Sequence, residues 1–259
     1  MIKKFTILTA TYNCGLYLFD WANSIIAQDY KNIEVVLIDD CSKDNTEQVV
    51  KNISKKFLTA NIKFLYIKNK KRLYCGSSYH LCLKHATGEY LGVLDADDVL
   101  EPFACSYVAN LYNKYPQVSW IYTQHNKYNK RMDRVIKKGF CHKPKKKTLL
   151  YCEKKGLQVF SHWRTFSKRL KKINIFKKRL KGCVDKYMGY KMEELGVGLF
   201  ANKVCYRYRR RTRGQHPISH SEPLRKIKRE IIREIEERRI NKNIYIYPIY
   251  DLKTIKKCQ

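Results

Sequence analysis

The sequence predicts an α/β protein built on a doubly wound, mostly parallel sheet. Three observations lead there. Across residues 1–100 short apolar runs alternate with segments of helical period, the pattern of successive βα units. Two of these runs stop abruptly in acidic clusters, Asp39-Asp40 and Asp95-Ala96-Asp97-Asp98, and sheets of this kind bind ligands beyond the carboxyl ends of their strands. The 259 residues are 44% hydrophobic, enough for a sizeable core and too many for a disordered basic tail.

Phe5–Ala10 reads as a buried strand followed by a turn at Asn13-Cys14-Gly15. Leu18, Trp21, Ala22, Ile25 and Ile26 then recur at helical spacing. Ile33–Ile38 is a short apolar run, as expected of a central strand covered on both faces. A helix over 45–56, a strand over 62–67 and a helix over 75–86 follow, the last closed by Gly88 as a left-handed cap. Tyr90–Leu94 is the next strand. Beyond it, Val118–Thr123 reads as a strand and 128–150 as a basic loop. Leu224, Ile227, Ile231, Ile235 and Ile240 mark an amphipathic helix, with Ser221 as its cap and Pro223 in its first turn. Ile/Tyr alternation over 244–247, interrupted by Pro248, suits an edge strand.

Charge divides the chain more sharply than structure does. Residues 1–100 hold 13 Lys/Arg and 11 Asp/Glu, whereas 101–259 hold 41 and 12, a net of +29 out of the total +31. Gln124 to Lys181 alone carries 21 basic side chains against Asp133 and Glu153. A solubilising bias would raise both halves, so the concentration points to a polyanionic partner. No apolar run approaches the roughly 18 residues of a membrane span, and no signal peptide opens the chain. Ten cysteines lie scattered without C-x-x-C spacing, which suits reduced thiols and a cytoplasmic protein.

The acidic clusters carry the chemistry. Three carboxylates within Asp95–Asp98 repel one another unless donors or a cation offset them. The N-terminus of the helix after Pro102 could supply donors; a hard divalent ion shared with a phosphate, Mg²⁺ or Mn²⁺, is the alternative. A D-x-D directly after a buried strand, 55 residues beyond an Asp-Asp-x-Ser that also follows a strand, favours the ion.

Here the sequence resembles the inverting glycosyltransferases of family 2, which have the GT-A fold. The resemblance runs through Thr6-Ile-Leu-Thr-Ala-Thr-Tyr-Asn13, Ala27–Glu34 and Val36-Leu-Ile-Asp-Asp-Cys-Ser-Lys-Asp44, and resumes at Ala86-Thr-Gly-Glu-Tyr-Leu-Gly-Val-Leu-Asp-Ala-Asp-Asp98. It implies a nucleotide-sugar donor, a UDP-sugar by preference, held by Ala10, Tyr12 and Asp40 with Asp39 beside it. It also implies Asp95 at the ribose, and Asp97 with Asp98 at a metal-bound diphosphate. Two departures stand out: Cys41 replaces the usual Gly, and Tyr79-His80 replaces a common Arg-Asn pair.

A thinner resemblance continues through Gly182-Cys-Val-Asp185 to Gly196, Tyr206–Arg210 and His216-Pro-Ile-Ser-His220. It makes Asp185 the general base, with Val184 where the family more often has Glu. A surface Asp capping the following helix is the plainer reading, and Glu193 and Glu194 are the fallback bases. His216, with Arg210, Arg211 and Arg213, is placed to contact the donor diphosphate or leaving group. His85, His125, His142 and His162 read as surface or packing residues.

Residues 1–100 are therefore expected to bind the donor, 101–220 to bind the acceptor and carry the base, and 221–259 to pack as a helix and tail. The acceptor is expected to be polyanionic. DNA with a hydroxymethylated base is one candidate, since Trp120, Tyr122, Tyr128, Trp163 and Phe166 could stack on an exposed base while Lys/Arg neutralise phosphates. An anionic surface glycan or lipid-linked acceptor at the membrane is the other, and a helical basic stripe over 162–181 would suit that surface. Tyr90–Val99 also resembles the nucleophile strand of haloacid-dehalogenase-type phosphatases, and a non-catalytic nucleic-acid-binding module is a third class.

Overall fold

The computed structural model describes residues 1–145, 147–171, 173–210 and 222–256. The first half follows the expected alternation. β1 (Phe5–Thr11), α1 (Leu18–Ile26), β2 (Ile33–Asp39), α2 (Thr46–Thr59), β3 (Lys63–Lys68), α3 (Tyr74–His85) and β4 (Tyr90–Val93) succeed one another. After β4 come β5 (Val99–Leu100), α4 (Ala104–Lys114), β6 (Trp120–Tyr128), β7 (Val135–Lys138), α5 (Leu149–Lys154) and β8 (Arg164–Ser167). The chain closes with α6 (Val184–Glu193), β9 (Gly198–Arg209), α7 (Glu222–Asn241), β10 (Ile249–Asp251) and α8 (Leu252–Ile255).

One sheet runs β10-β9-β6-β8-β4-β1-β2-β3, with β5 paired to β9 and β7 to β6. The β4-β1-β2-β3 half is parallel throughout. β8 inserts antiparallel between β4 and β6 and joins it to the second half. Apolar clusters cover both faces, which is why β1 and β2 tolerate almost no exposed side chain. Trp21, Phe57 and Tyr112 anchor one cluster, and Trp120, Phe166 and Phe176 the other. Glu34, buried in β2, is accommodated by Thr6 Oγ1, Thr87 Oγ1 and the Thr87 N–H, at 2.7, 2.8 and 2.7 Å.

Several expectations need correction. α3 ends at His85 with Ala86 already extended, so Gly88 is no left-handed cap. It is small because a Cβ there would meet Thr6 Oγ1 at 2.5 Å. The stretch 128–150 contains β7 and the start of α5, and β6 runs on to Tyr128. Residues 162–181 are not a helical stripe, because β8 and a 3-10 turn at Lys168–Leu170 occupy them. Edge pairing begins after Pro248, at Ile249, rather than over 244–247. Ser221 lies outside the described residues. No helix among the described residues is long and apolar enough to cross a membrane.

Candidate active site

Two adjoining clefts open at the carboxyl ends of β1, β2 and β4. The larger, about 490 Å³, is lined by Ala10, Tyr12, Asp40, Arg72, Tyr74, Ser78, Asp95, Asp97 and Lys181, among others. Asp40 does structural work there. Its carboxylate accepts from Asn69 Nδ2 at 3.0 Å and from the Leu73 and Tyr74 N–H groups, each at 2.7 Å. Those amides open α3, so a charge from β2's end caps a helix 34 residues downstream and still lines the cleft. Asp39, by contrast, is fully buried and spent on the Ser42 N–H and Tyr66 OH, at 2.8 and 2.9 Å. It shapes the turn and does not reach the cleft.

Arg72 and Lys181 rim this cleft without a carboxylate in salt-bridge reach among the described residues. The Arg72 guanidinium sits 3.9 Å from the Tyr12 ring centroid and 5.2 Å from that of Tyr74, and Lys181 Nζ lies 4.9 Å over Tyr74. Two cations held on tyrosine faces, beside Asp95 and Asp97, make an anion-ready mouth.

The second cleft, about 250 Å³, shares Cys75, Tyr79, Asp95 and Asp97 with the first and adds Asp98, His162, Arg164 and Asp185. Val93, Phe176, Val184 and Met188 supply its apolar wall. Asp95 accepts from Tyr79 OH at 2.6 Å, and its other oxygen lies 3.2 Å from His162 Nε2 and 3.4 Å from Arg164 Nη2. Burial alone would raise the Asp95 carboxyl; the His162 hydrogen bond and the Arg164 charge hold it below the usual carboxylate range. Asp98 is buried, accepting from Tyr206 OH and the Arg209 N–H, both at 2.7 Å. Burial, then the charges of Asp97 and Asp95, push it well above the ordinary value. Burial and Arg164 lower His162, so its imidazole is neutral near neutral pH. Its Nδ1 lies 2.9 Å from Ser161 Oγ, and with the proton on Nδ1 the Nε2 lone pair would be free for a cation instead of the hydrogen bond to Asp95.

Asp185 stands in the first turn of α6 and lines this second cleft. The fallback bases do not. Glu193 is buried at the far end of the helix, accepting from the Leu149 N–H at 2.5 Å and Arg239 at 3.2 Å. Glu194 is clamped by Arg238 and Arg239 at 2.6 and 3.0 Å. Arg210 continues the β9–β6 pairing through its N–H to Tyr128 O, and lines neither cleft. His216, Arg211 and Arg213 lie outside the described residues.

Sequence reasoning missed His162 and Arg164. Both sit where a basic run masked a short strand, and neither follows a periodicity. Asp95, Asp98 and His162 bring three ligand atoms within 4.8 Å of one another, a set from which Asp97 is absent. Two carboxylates and a neutral imidazole suit Mn²⁺ well and Mg²⁺ through its oxygens. Burial and then crowding with two like charges push Asp98 up, and a cation there would relieve the crowding, so the residues fit a divalent ion.

A mostly parallel sheet with carboxylates at its strand ends, a cation-rimmed cleft and an adjoining cleft that adds Asp185 defines an α/β protein of the GT-A type. The profile of glycosyl transferase family 2 matches residues 6–194, and the chain belongs to that family. It is 27% identical over 207 residues to a chondroitin synthase of Escherichia coli, covering 78% of this chain and 28% of that one. The chain spans less than half the length of the curated relatives it matches. In fold it resembles S. aureus TarS 1-349, solved with UDP-GlcNAc, at a TM-score of 0.67 and 22% identity, covering 88% of this chain and 65% of that one. A mannosyltransferase from Pyrobaculum calidifontis, solved with GDP-Man and Mn²⁺, superposes at 0.63 with 18% identity, covering 93% and 65%.

Four of the five aromatic side chains expected to stack on DNA bases are core, and only Tyr128, at the end of β6, is partly exposed. Trp120, Tyr122, Trp163 and Phe166 are all completely buried. The exposed rings of this half are others, Phe140, Tyr151, Tyr245 and Tyr247, beside many exposed lysines and arginines.

Proposed function

We propose that the protein is a metal-dependent, inverting glycosyltransferase that moves a sugar from a nucleoside diphosphate sugar to a hydroxyl of an anionic glycan. The observation that carries this reading is the continuity of the two clefts through Asp95 and Asp97, with Asp185 in the second. A donor whose nucleotide lies along Ala10, Tyr12 and Asp40 reaches the shared wall with its diphosphate, which leaves its sugar facing the cleft of Asp185. The acceptor oxygen attacks the anomeric carbon from the side opposite the diphosphate. As that bond forms, the carbon–oxygen bond to the diphosphate breaks and the acceptor's proton passes to Asp185.

Negative charge builds on the departing diphosphate. Arg72 and Lys181 meet it from the rim of the first cleft, where few dipoles must reorganise. A divalent ion held by Asp95, Asp98 and His162, with Asp97 beside it, supplies Lewis-acid neutralisation of the diphosphate when bound. Tyr79 orients Asp95 through its hydroxyl, in the place where the family commonly has Arg. UDP is favoured as the nucleotide by the TarS likeness and by the short carboxylate Asp40, which has one acceptor position left for a base N–H or ribose hydroxyl. In this reading residues 1–100 hold the donor and 101–220 the acceptor and base.

A glycan rather than DNA is favoured because four of the five rings proposed to read a base are core, and because chondroitin synthases stand among the relatives. A panel of UDP- and GDP-sugars with Mn²⁺, offered to anionic oligosaccharides and to hydroxymethylated DNA, tests all of this by mass spectrometry of the products. Sugar on the oligosaccharide is the expected result. No donor turnover with any sugar removes the transferase reading, and sugar on DNA alone removes the glycan.

A further inference from the structure

A third cleft lies away from the two just described and is larger than either, at about 590 Å³. It opens between the 143–148 segment, α5 and the strand-bearing segment 246–254 at the β10 edge of the sheet. Lys143, Lys147, Tyr151, Tyr247 and Tyr250 line it, with Glu193 at its floor.

We propose that this cleft is a second binding site, for the anionic glycan chain that trails from the acceptor end occupying the active site. The inference rests on the transferase reading above. Three features of the cleft fit that occupant. Tyrosine rings present flat apolar faces with polar tips, and Tyr151 and Tyr247 stand 40% and 37% exposed, open to a sugar ring. Lys147 supplies the charge complement: it is exposed, held over the Tyr151 ring at 4.8 Å and has no carboxylate in salt-bridge reach among the described residues, whereas Lys143 is paired with Asp251 at 3.2 Å. Glu193, whose two oxygens accept from the Leu149 N–H and from Arg239, keeps lone pairs toward the floor of the cleft that a sugar hydroxyl can use.

Position fits as well. Glu193 and Asp185 lie at the two ends of α6, eight residues and so about 12 Å of helix axis apart. An acceptor must be long enough to cover at least that separation to touch both clefts at once. Linking two weak contacts through one chain raises apparent affinity without any new contact at the reacting end.

The test uses the whole protein with UDP and Mn²⁺ present, and anionic disaccharide and decasaccharide probes of the chondroitin type. Replacing Lys147→Ala and Tyr247→Ala together should weaken decasaccharide binding about 10-fold, with the disaccharide and Mn²⁺–UDP affinities unchanged. Both side chains are exposed, and Tyr247→Phe, which keeps the ring, should bind nearly as the unaltered protein does. Equal weakening of both probes, no weakening of either, or a single-stranded oligonucleotide that competes through these same residues overturns the proposal. Donor hydrolysis with Mn²⁺ is measured alongside: its absence counts against the transferase reading, while decasaccharide binding still decides the cleft.

Discussion

Replacing Asp185→Asn separates the base from everything around it. The side chain lines the second cleft and not the first, so donor affinity should stay within about twofold. An amide cannot take the acceptor's proton, and a positioned general base contributes roughly 10²–10⁴-fold, so transfer should fall by that factor, about 3–5 kcal/mol of barrier. The cost in stability is much smaller. Asp185 is half-buried in the first turn of α6, where a carboxylate facing the helix dipole contributes about 0.3–1 kcal/mol, less what solvent screens. Loss of transfer therefore cannot be an unfolding effect if the melting temperature moves by only a few degrees. The assay pairs single-turnover transfer with calorimetric titration of UDP in Mn²⁺. Transfer at near the unaltered rate would move the base elsewhere, and an equal loss of UDP affinity would place Asp185 at the donor.

Four further outcomes follow from the same geometry. Activity should vanish in excess chelator and return with Mn²⁺. His162→Ala should weaken Mn²⁺ binding at least about 10-fold by direct titration, and Asp97→Asn should cut turnover by at least about 10²-fold; full activity in chelator would refute the metal assignment. Arg72→Ala and Lys181→Ala should each raise the Kd for UDP by about 10-fold while leaving uridine unaffected, as charge-assisted contacts to phosphate require; equal losses for both ligands would move these cations off the diphosphate. Glu193 is pushed up to about 7 by burial, so between pH 4.5 and 7 the folded protein keeps a proton that the unfolded chain releases. Stability should therefore fall as pH rises through that window, by at most about 3 kcal/mol, and Glu193→Gln should flatten the slope in chemical denaturation.

How far the sequence could be read depended on how local each determinant was. β1 and β2 are near-continuous apolar runs because both faces are covered, and that pattern is visible without knowing what covers them. The acidic ends of β2 and β4 were equally legible. Arg164 was not, since an arginine in a short strand is indistinguishable from one on a surface until its partners are known. Those partners are Asp95 and, at the paired positions, Val93 of β4 and Tyr122 of β6, which lie 69, 71 and 42 residues away in the chain. His162 suffers the same ambiguity one residue before a buried Trp. A run of Trp, Thr and Phe inside the basic stretch, Trp163-Arg-Thr-Phe166, was the available signal for a strand there. Asp40 shows a subtler limit. Its place at a strand end was evident, but not that its carboxylate would cap α3.

The basic surplus itself takes a different meaning once burial is known. Composition joined the aromatic side chains to the lysines, as if one surface carried both, and that conjunction is what suggested a nucleic acid. The fold pulls them apart: Trp120, Tyr122, Trp163 and Phe166 hold the sheet together, while Lys130, Lys137, Lys145 and Lys155 stay in solvent. Lysines without interleaved rings neutralise a polyanion but cannot read a base, since stacking needs an open π-face. Among the exposed rings of this half, Tyr151 and Tyr247 line one cleft together with Lys143 and Lys147, and a carboxylate lies at its floor. Rings and an acceptor offered together at one place on a surface that attracts anions generally support the proposed charged sugar chain as acceptor. Its length, more than its sequence of substituents, would then govern how tightly the chain is held.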